Sequence, residues 1–204
     1  MTQRKQLTQS FYRRRARDVA RSLLGARLVR YEEGQRISGV IVEAEAYCDS
    51  EEPDLACHAT VNQGRPTART EVMFGPPGHA YVYFTYGMHW MFNVVTGEVG
   101  VANAVLIRAL QPLEGIGRMA ERRMRPEREL TNGPAKLAQA LGIDKTLNGA
   151  SLFANESVIW IEAGEKIADE HVARGPRIGL GKTPEPWKSV AWRYWVKGNG
   201  WVSR

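Results

Sequence analysis

The chain has 204 residues, 43% of them apolar and 25% charged, which suits one domain with its own core. No apolar stretch approaches the roughly 18 residues of a membrane span, and Met1-Thr2-Gln3-Arg4-Lys5 has no apolar segment behind it to make a signal peptide. Two cysteines, Cys48 and Cys57, exclude a disulfide framework and point to a reducing compartment.

The net charge of +6 comes mainly from 21 arginines, whose planar guanidinium suits bidentate contacts to phosphate. Its distribution is uneven. Residues 1–36 carry ten basic side chains and three acidic ones, whereas residues 43–54 carry six acidic side chains and no basic ones. Basic margins around an acidic centre fit a protein that grips phosphates and works with a carboxylate.

Residues 1–10 read as a disordered basic tail ahead of a single domain over 11–204. Val19, Ala20, Leu23 and Leu24 are spaced for a helix, with Gly25 as its stop. Arg13, Arg14, Arg15 and Arg17 open it, a run that ordinarily forms a solvated face. Arg27 to Tyr31 reads as a strand, residues 32–35 as a turn and Arg36 to Ala46 as a longer strand. Simple alternation along that second strand puts Val40, Val42, Ala44 and Ala46 on one face, with Ile37, Gly39, Ile41, Glu43 and Glu45 on the other. The carboxylates at its end suit either a strand surfacing into water or one running into a cleft. Residues 47–80 are loop-rich, and their aromatic, His and Arg content argues for a functional loop over disorder.

Tyr81 to Asn93 has strand chemistry on both sides of Gly87, so Tyr86-Gly87 reads as a hairpin tip. Tyr81, Tyr83 and Thr85 share one face. Tyr86, Met88 and Trp90 are unusually large for a tip. Either the pair folds inward over a core, or an aromatic protrudes as a wedge between stacked bases. Ala104 to Leu110 is an apolar strand interrupted by Arg108, which needs an anionic partner such as Glu43, a catalytic carboxylate or a phosphate. Gly115 to Glu129 reads as an Arg-rich helix. Thr131 to Leu137 reads as a helix start, with Pro134 near its first turn and Gly142 as its end. Leu152 to Ala163 reads as strand or turn. The last stretch, with Trp187, Trp192, Trp195 and Trp201, reads as irregular chain packed onto the core. Cys48, Cys57 and His58 match no standard zinc spacing.

Several motifs follow one another in a specific order. They are Val42-Glu43-Ala44-Glu45-Ala46-Tyr47, Ala56-Cys57-His58-Ala59, Gly64-Arg65-Pro66-Thr67, Met73-Phe74, Tyr81-Val82-Tyr83 with Tyr86-Gly87-Met88 and Asn93, and then Leu106 to Gly115. Asn132-Gly133-Pro134-Ala135-Lys136-Leu137 and Arg177-Ile178-Gly179 complete the series. Over residues 10–203 the chain resembles the alkyladenine DNA glycosylase family, the 3-methyladenine DNA glycosylases of mammalian type.

The resemblance implies an α+β fold. It would be a single mixed domain on a curved antiparallel sheet, with peripheral helices and a protruding hairpin, similar to the C-terminal domain of formyltransferases. It implies that Glu45 is a general base for water attacking C1′, with Arg108 and the Ile178 carbonyl holding that water. Tyr47, His58 and Tyr83 would enclose a flipped purine, backbone groups of Ala56 and His58 would read its edge, and Asn93 would exclude guanine. Tyr86 would be the intercalating wedge, with Met88 and Leu106, also in contact with the stack, flanking the lesion. Arg65, Arg69, Gly133, Lys136 and Arg177 are candidate phosphate contacts. The expected partner is double-stranded DNA containing damaged purines, with the protein acting as a monomer, without metal or other cofactor and away from membranes. It would work in a bacterial cytoplasm at the nucleoid, or in a nucleus if the source is eukaryotic. A non-enzymatic nucleic-acid-binding module, which needs no carboxylate beside a phosphate-facing Arg108, and a formyltransferase-like accessory domain, for which fold analogy alone carries no site, are the alternatives.

Overall fold

The computed structural model describes residues 5–48 and 53–203, apart from the side chains of residues 61 and 62. Helices α1 (Gln9–Tyr12) and α2 (Ala16–Leu23) lead into strands β1 (Arg27–Glu32) and β2 (Gln35–Tyr47). After a long loop come β3 (Ala80–Thr85), β4 (His89–Val95) and β5 (Ala104–Glu114). Helices α3 (Ile116–Arg123) and α4 (Pro134–Ala140) follow, then β6 (Ile159–Glu162), β7 (Val172–Gly175) and β8 (Arg193–Val196). The strands form one sheet in the order β3-β4-β5-β2-β1-β6, and every pairing is antiparallel. The fold is α+β.

β2 organises that sheet. Its first half pairs with β1, and its second half, from Glu43 to Glu45, pairs with β8, which carries β7. One face of the sheet is covered by α2 and α4, where Val19, Leu23, Leu137 and Leu141 join Ile37, Ile41, Ala44, Val105 and Leu110 in the main core. Burying such aliphatic side chains contributes about 1.5–3 kcal/mol each. The opposite face carries a smaller cluster around Cys57, Met73, Tyr81 and Ala104.

The simple alternation expected along β2 is overturned. Ile37 and Ile41 share the core with Ala44 and Ala46, because the register against β5 shifts between Ile41 and Glu43 and again between Glu43 and Ala44. A bulge of this kind re-aims side chains. Here it keeps apolar residues in the core on both sides of the irregularity while Glu43 and Glu45 leave it.

Other boundaries also move. Of the expected tail, residues 1–4 lie outside the described residues. From Lys5 onward the chain is held to β6, with Gln6 bridging Glu162 and the Leu7 N–H donating to the Ile161 carbonyl at 2.8 Å. The Arg-rich helix expected to Glu129 stops at Arg123. Met124 takes a left-handed φ of 51°, Pro126 follows, and only a 3-10 turn remains at Glu127–Glu129. The stretch from Leu152 contributes only the short β6, and the C-terminal region expected to be irregular supplies β7 and β8. Gly25 does stop α2: its φ is +89°, and a Cβ there would lie 2.0 Å from the Glu165 carbonyl oxygen.

Candidate active site

The bulge in β2 delivers two carboxylates to one guanidinium. Glu43 and Glu45 are fully buried, and Arg108 on β5 lies between them. Arg108 Nε donates to Glu43 Oε1 and Nη1 donates to Glu45 Oε2, both at 3.3 Å. Glu45 Oε2 also accepts the Tyr47 hydroxyl at 2.9 Å, and Oε1 accepts the Ile178 N–H at 2.7 Å. Glu43 is tied further by Arg193 Nη1 at 2.9 Å and the Ser203 N–H at 2.7 Å. Two carboxylates therefore face two guanidiniums, so the buried charge is balanced. Burial pushes the Glu45 carboxyl above its ordinary range. Arg108, the Ile178 N–H and the Tyr47 hydroxyl oppose that push, and the like charge of Glu43 adds to it.

Above this cluster opens a cavity of about 340 Å³. Tyr47, Arg108 and Ile178, the three donors to Glu45, all line it. So do Ala56, His58, Tyr83 and Asn93, which the sequence proposed for the pocket, and Tyr81, which it did not. His58 Nδ1 is 3.1 Å from the Tyr81 hydroxyl, and the His58 and Tyr83 rings meet edge to face at 4.5 Å. Burial, helped by the Arg69 charge, lowers the His58 pKa to about 4, so the imidazole is neutral at ordinary pH. Burial likewise pushes Tyr83 up to about 12. Asn93 Nδ2 donates to the Tyr81 carbonyl at 3.0 Å, which fixes the amide. The Ala56 N–H donates to Asp54 Oδ1 at 3.0 Å, so that N–H is already engaged within the chain.

The hairpin divides between its two readings. At its root Tyr81 and Val82 are buried; at its tip Tyr86 is 78% exposed and Met88 is 67% exposed. Tyr86, Gly87 and Met88 form a three-residue loop between the paired Thr85 and His89, and Tyr86 and Gly87 both have positive φ, 52° and 68°. Leu106 is buried in β5 between β4 and β2 and forms part of the cavity wall.

Arg177 needs correcting as a phosphate contact. It is buried, and Nη1 and Nη2 hold Asp54 at 2.5 and 2.8 Å. It also donates to the Ala46 and Trp187 carbonyls and stacks on Tyr47 and Trp192. Its charge is thus spent on pinning the loop after β2. Arg69 is exposed, 4.9 Å from the Tyr83 ring centre, and Arg65 is exposed nearby in sequence. Gly133 and Lys136 line a second cavity, of about 520 Å³, that shares Arg108 and Pro134 with the first.

Sequence reasoning missed Tyr81, Asp54, Arg193 and Ser203. Tyr81 had a signal, because it alternates in phase with Tyr83. The other three reach the site only through tertiary folding. Among the described residues no three His, Cys, Asp or Glu side chains cluster to hold a metal, and Cys48 and Cys57 are both buried. No helix among them is long and apolar enough to cross a membrane.

Fold and site together define an α+β protein with a carboxylate-backed aromatic cavity and an exposed aromatic ribbon beside it. The pattern of the methylpurine-DNA glycosylase family matches residues 10–200, and the chain belongs to that family. It is 48% identical over 199 residues to a protein of Carboxydothermus hydrogenoformans, covering 97% of this chain and 98% of the relative. Relatives in Chlorobaculum parvum and Myxococcus xanthus are 47% and 46% identical; the alignments cover 98% and 97% of this chain and 91% and 93% of those proteins. All three carry the name "Putative 3-methyladenine DNA glycosylase".

Proposed function

We propose that this chain is a monofunctional DNA glycosylase that flips damaged purines from duplex DNA and hydrolyses their N-glycosidic bond. The observation that carries the reading is Glu45, fully buried behind an aromatic cavity whose lining includes its own three donors, Tyr47, Arg108 and Ile178. Family membership and the relatives' names support the substrate class, 3-methyladenine first. Alkylated purines carry positive charge, which the tyrosine faces attract and a neutral His58 does not repel.

Water held by Arg108 and the Ile178 carbonyl attacks C1′, and Glu45 takes its proton. The bond to the base breaks, and its electron pair leaves with the purine. An N3- or N7-alkylated purine departs neutral, so it needs little acid assistance. Neutral lesions such as hypoxanthine need a proton from elsewhere. Tyr86 fills the vacated stack, Met88 flanks it, and Asn93 crowds guanine. Arg65, Arg69, Gly133 and Lys136 hold the backbone. The protein acts as a monomer without cofactor on DNA of the nucleoid, a reading that its bacterial relatives support. The likeness of the sheet to the formyltransferase C-terminal domain belongs to the same reading.

A binding module without chemistry has no use for a buried, ion-paired carboxylate at the base of its pocket. Glu45→Gln is expected to keep its affinity for alkylated duplex and to lose base release by about 10²-fold or more. Single-turnover release within a few-fold of wild type would remove Glu45 from the mechanism.

A further inference from the structure

Glu43 takes no part in the hydrolysis proposed for Glu45, yet it is equally buried. Its carboxylate collects three donors from three segments: Arg108 on β5, Arg193 on β8 and the Ser203 N–H near the C-terminus. The Ser203 hydroxyl returns to the same guanidinium, 3.3 Å from Arg108 Nη2. Each nitrogen of Arg108 is thereby assigned: Nε to Glu43, Nη1 to Glu45 and Nη2 to Ser203. The register of β2 against β5 breaks at Glu43. An irregularity that brings a carboxylate to a buried arginine at a cavity wall is unlike a simple strand defect.

We infer that Glu43 is a positioning residue that, with Ser203, holds the Arg108 guanidinium in the one orientation that serves both Glu45 and the attacking water. This rests on the reading of Glu45 as the base. A guanidinium left with Glu45 alone would collapse onto it as a closed ion pair, and the water would lose its donor.

The charged and titratable groups around Glu45 are Arg108 on β5, Glu43 and Tyr47 on β2, Tyr83 on β3, Arg193 beyond Glu43 and Arg177 behind Tyr47. Of these Glu43 is the like charge. Removing it favours ionised Glu45, so the acid limb of the reaction moves to lower pH. The limb shift reports the lost Glu43 charge, and the positioning itself is read from Ser203→Ala, which keeps every charge and removes only the hydroxyl on Arg108 Nη2.

The experiment is single-turnover base release from alkylated duplex across about pH 5 to 9, with affinity for the same duplex measured in parallel. Wild type, Glu45→Gln, Glu43→Gln and Ser203→Ala are compared. Glu43→Gln is expected to bind within about twofold of wild type, to release base roughly 10²-fold more slowly and to shift the acid limb downward. Ser203→Ala keeps every charge and is expected to slow release roughly three- to tenfold with the limb in place.

If wild type releases no base, the glycosylase reading fails and this inference falls with it. If Glu45→Gln is inactive while Glu43→Gln keeps the wild-type rate and limb, the inference alone is overturned. Should Glu43→Gln not fold, an unchanged rate in Ser203→Ala overturns it instead.

Discussion

His58 shows what burial does to a single side chain. An unfolded imidazole titrates at its ordinary 6.5, whereas the folded one is held to about 4 by burial and by Arg69. Above pH 6.5 both states are neutral and His58 contributes no pH dependence. Below it the unfolded chain takes up a proton that the folded chain refuses. Stability is therefore lost as pH falls from 6.5 toward about 4 and stops changing below that. Glu45 has the opposite slope, since its raised pKa favours the folded state as the carboxyl protonates. Subtracting a His58→Gln variant from wild type isolates the histidine. Urea midpoints measured across this window are expected to fall more steeply for wild type; parallel curves would mean that the imidazole protonates in place. The same scale shows why Arg177 misled the sequence reading. An arginine two residues before Gly179 looks like a phosphate ligand, and nothing local announces that Asp54, 123 positions earlier, neutralises it.

At the scale of elements, the β3–β4 ribbon joins a rigid root to an exposed tip. Tyr86 is 78% exposed and its φ is positive, so its side chain contributes little to the core and its backbone is mildly strained. Tyr86→Ser is expected to leave thermal stability within about 0.5 kcal/mol of wild type. Base flipping is expected to weaken, because the gap in the stack is no longer filled. An ethenoadenine duplex reports flipping by fluorescence; an unchanged signal on binding would assign Tyr86 no wedge function. Hairpin, long strands and α2 were legible because each carries a local pattern: β2 reads as a strand to within a residue of its observed ends. Its phase was not legible, because a bulge depends on the partner strand and leaves no mark in the alternation of its own side chains. β7 and β8 were missed because four-residue strands carry too few positions for a period to show. The long helix was overdrawn because its arginines continue past Met124, whose left-handed backbone ends it.

Across the whole molecule, the placement of the lysines is what motivates the monofunctional reading. An enzyme that also nicks the strand attacks C1′ with an amine and passes through a Schiff base. This chain has no lysine between Lys5 and Lys136, an interval that holds Glu45, Tyr47, His58, Tyr83, Asn93 and Arg108. Folding does not repair the gap, because no lysine lines the 340 Å³ cavity. Lys5 lies against β6, where its carbonyl accepts the Ala163 N–H. Lys136 belongs to the neighbouring groove, with Nζ 2.8 Å from Asn132 Oδ1. Arginine cannot substitute, since its guanidinium stays protonated. The proposed reading accordingly takes water as the nucleophile and Glu45, buried beside the cavity, as the group that accepts its proton. Turnover on a hypoxanthine duplex in the presence of borohydride is expected to give no covalent complex, and the product strand is expected to stay intact until alkali is added. A trapped complex that disappears with Lys136→Ala would instead mean that the groove opens into the cavity during turnover, and that an amine, not water, reaches C1′.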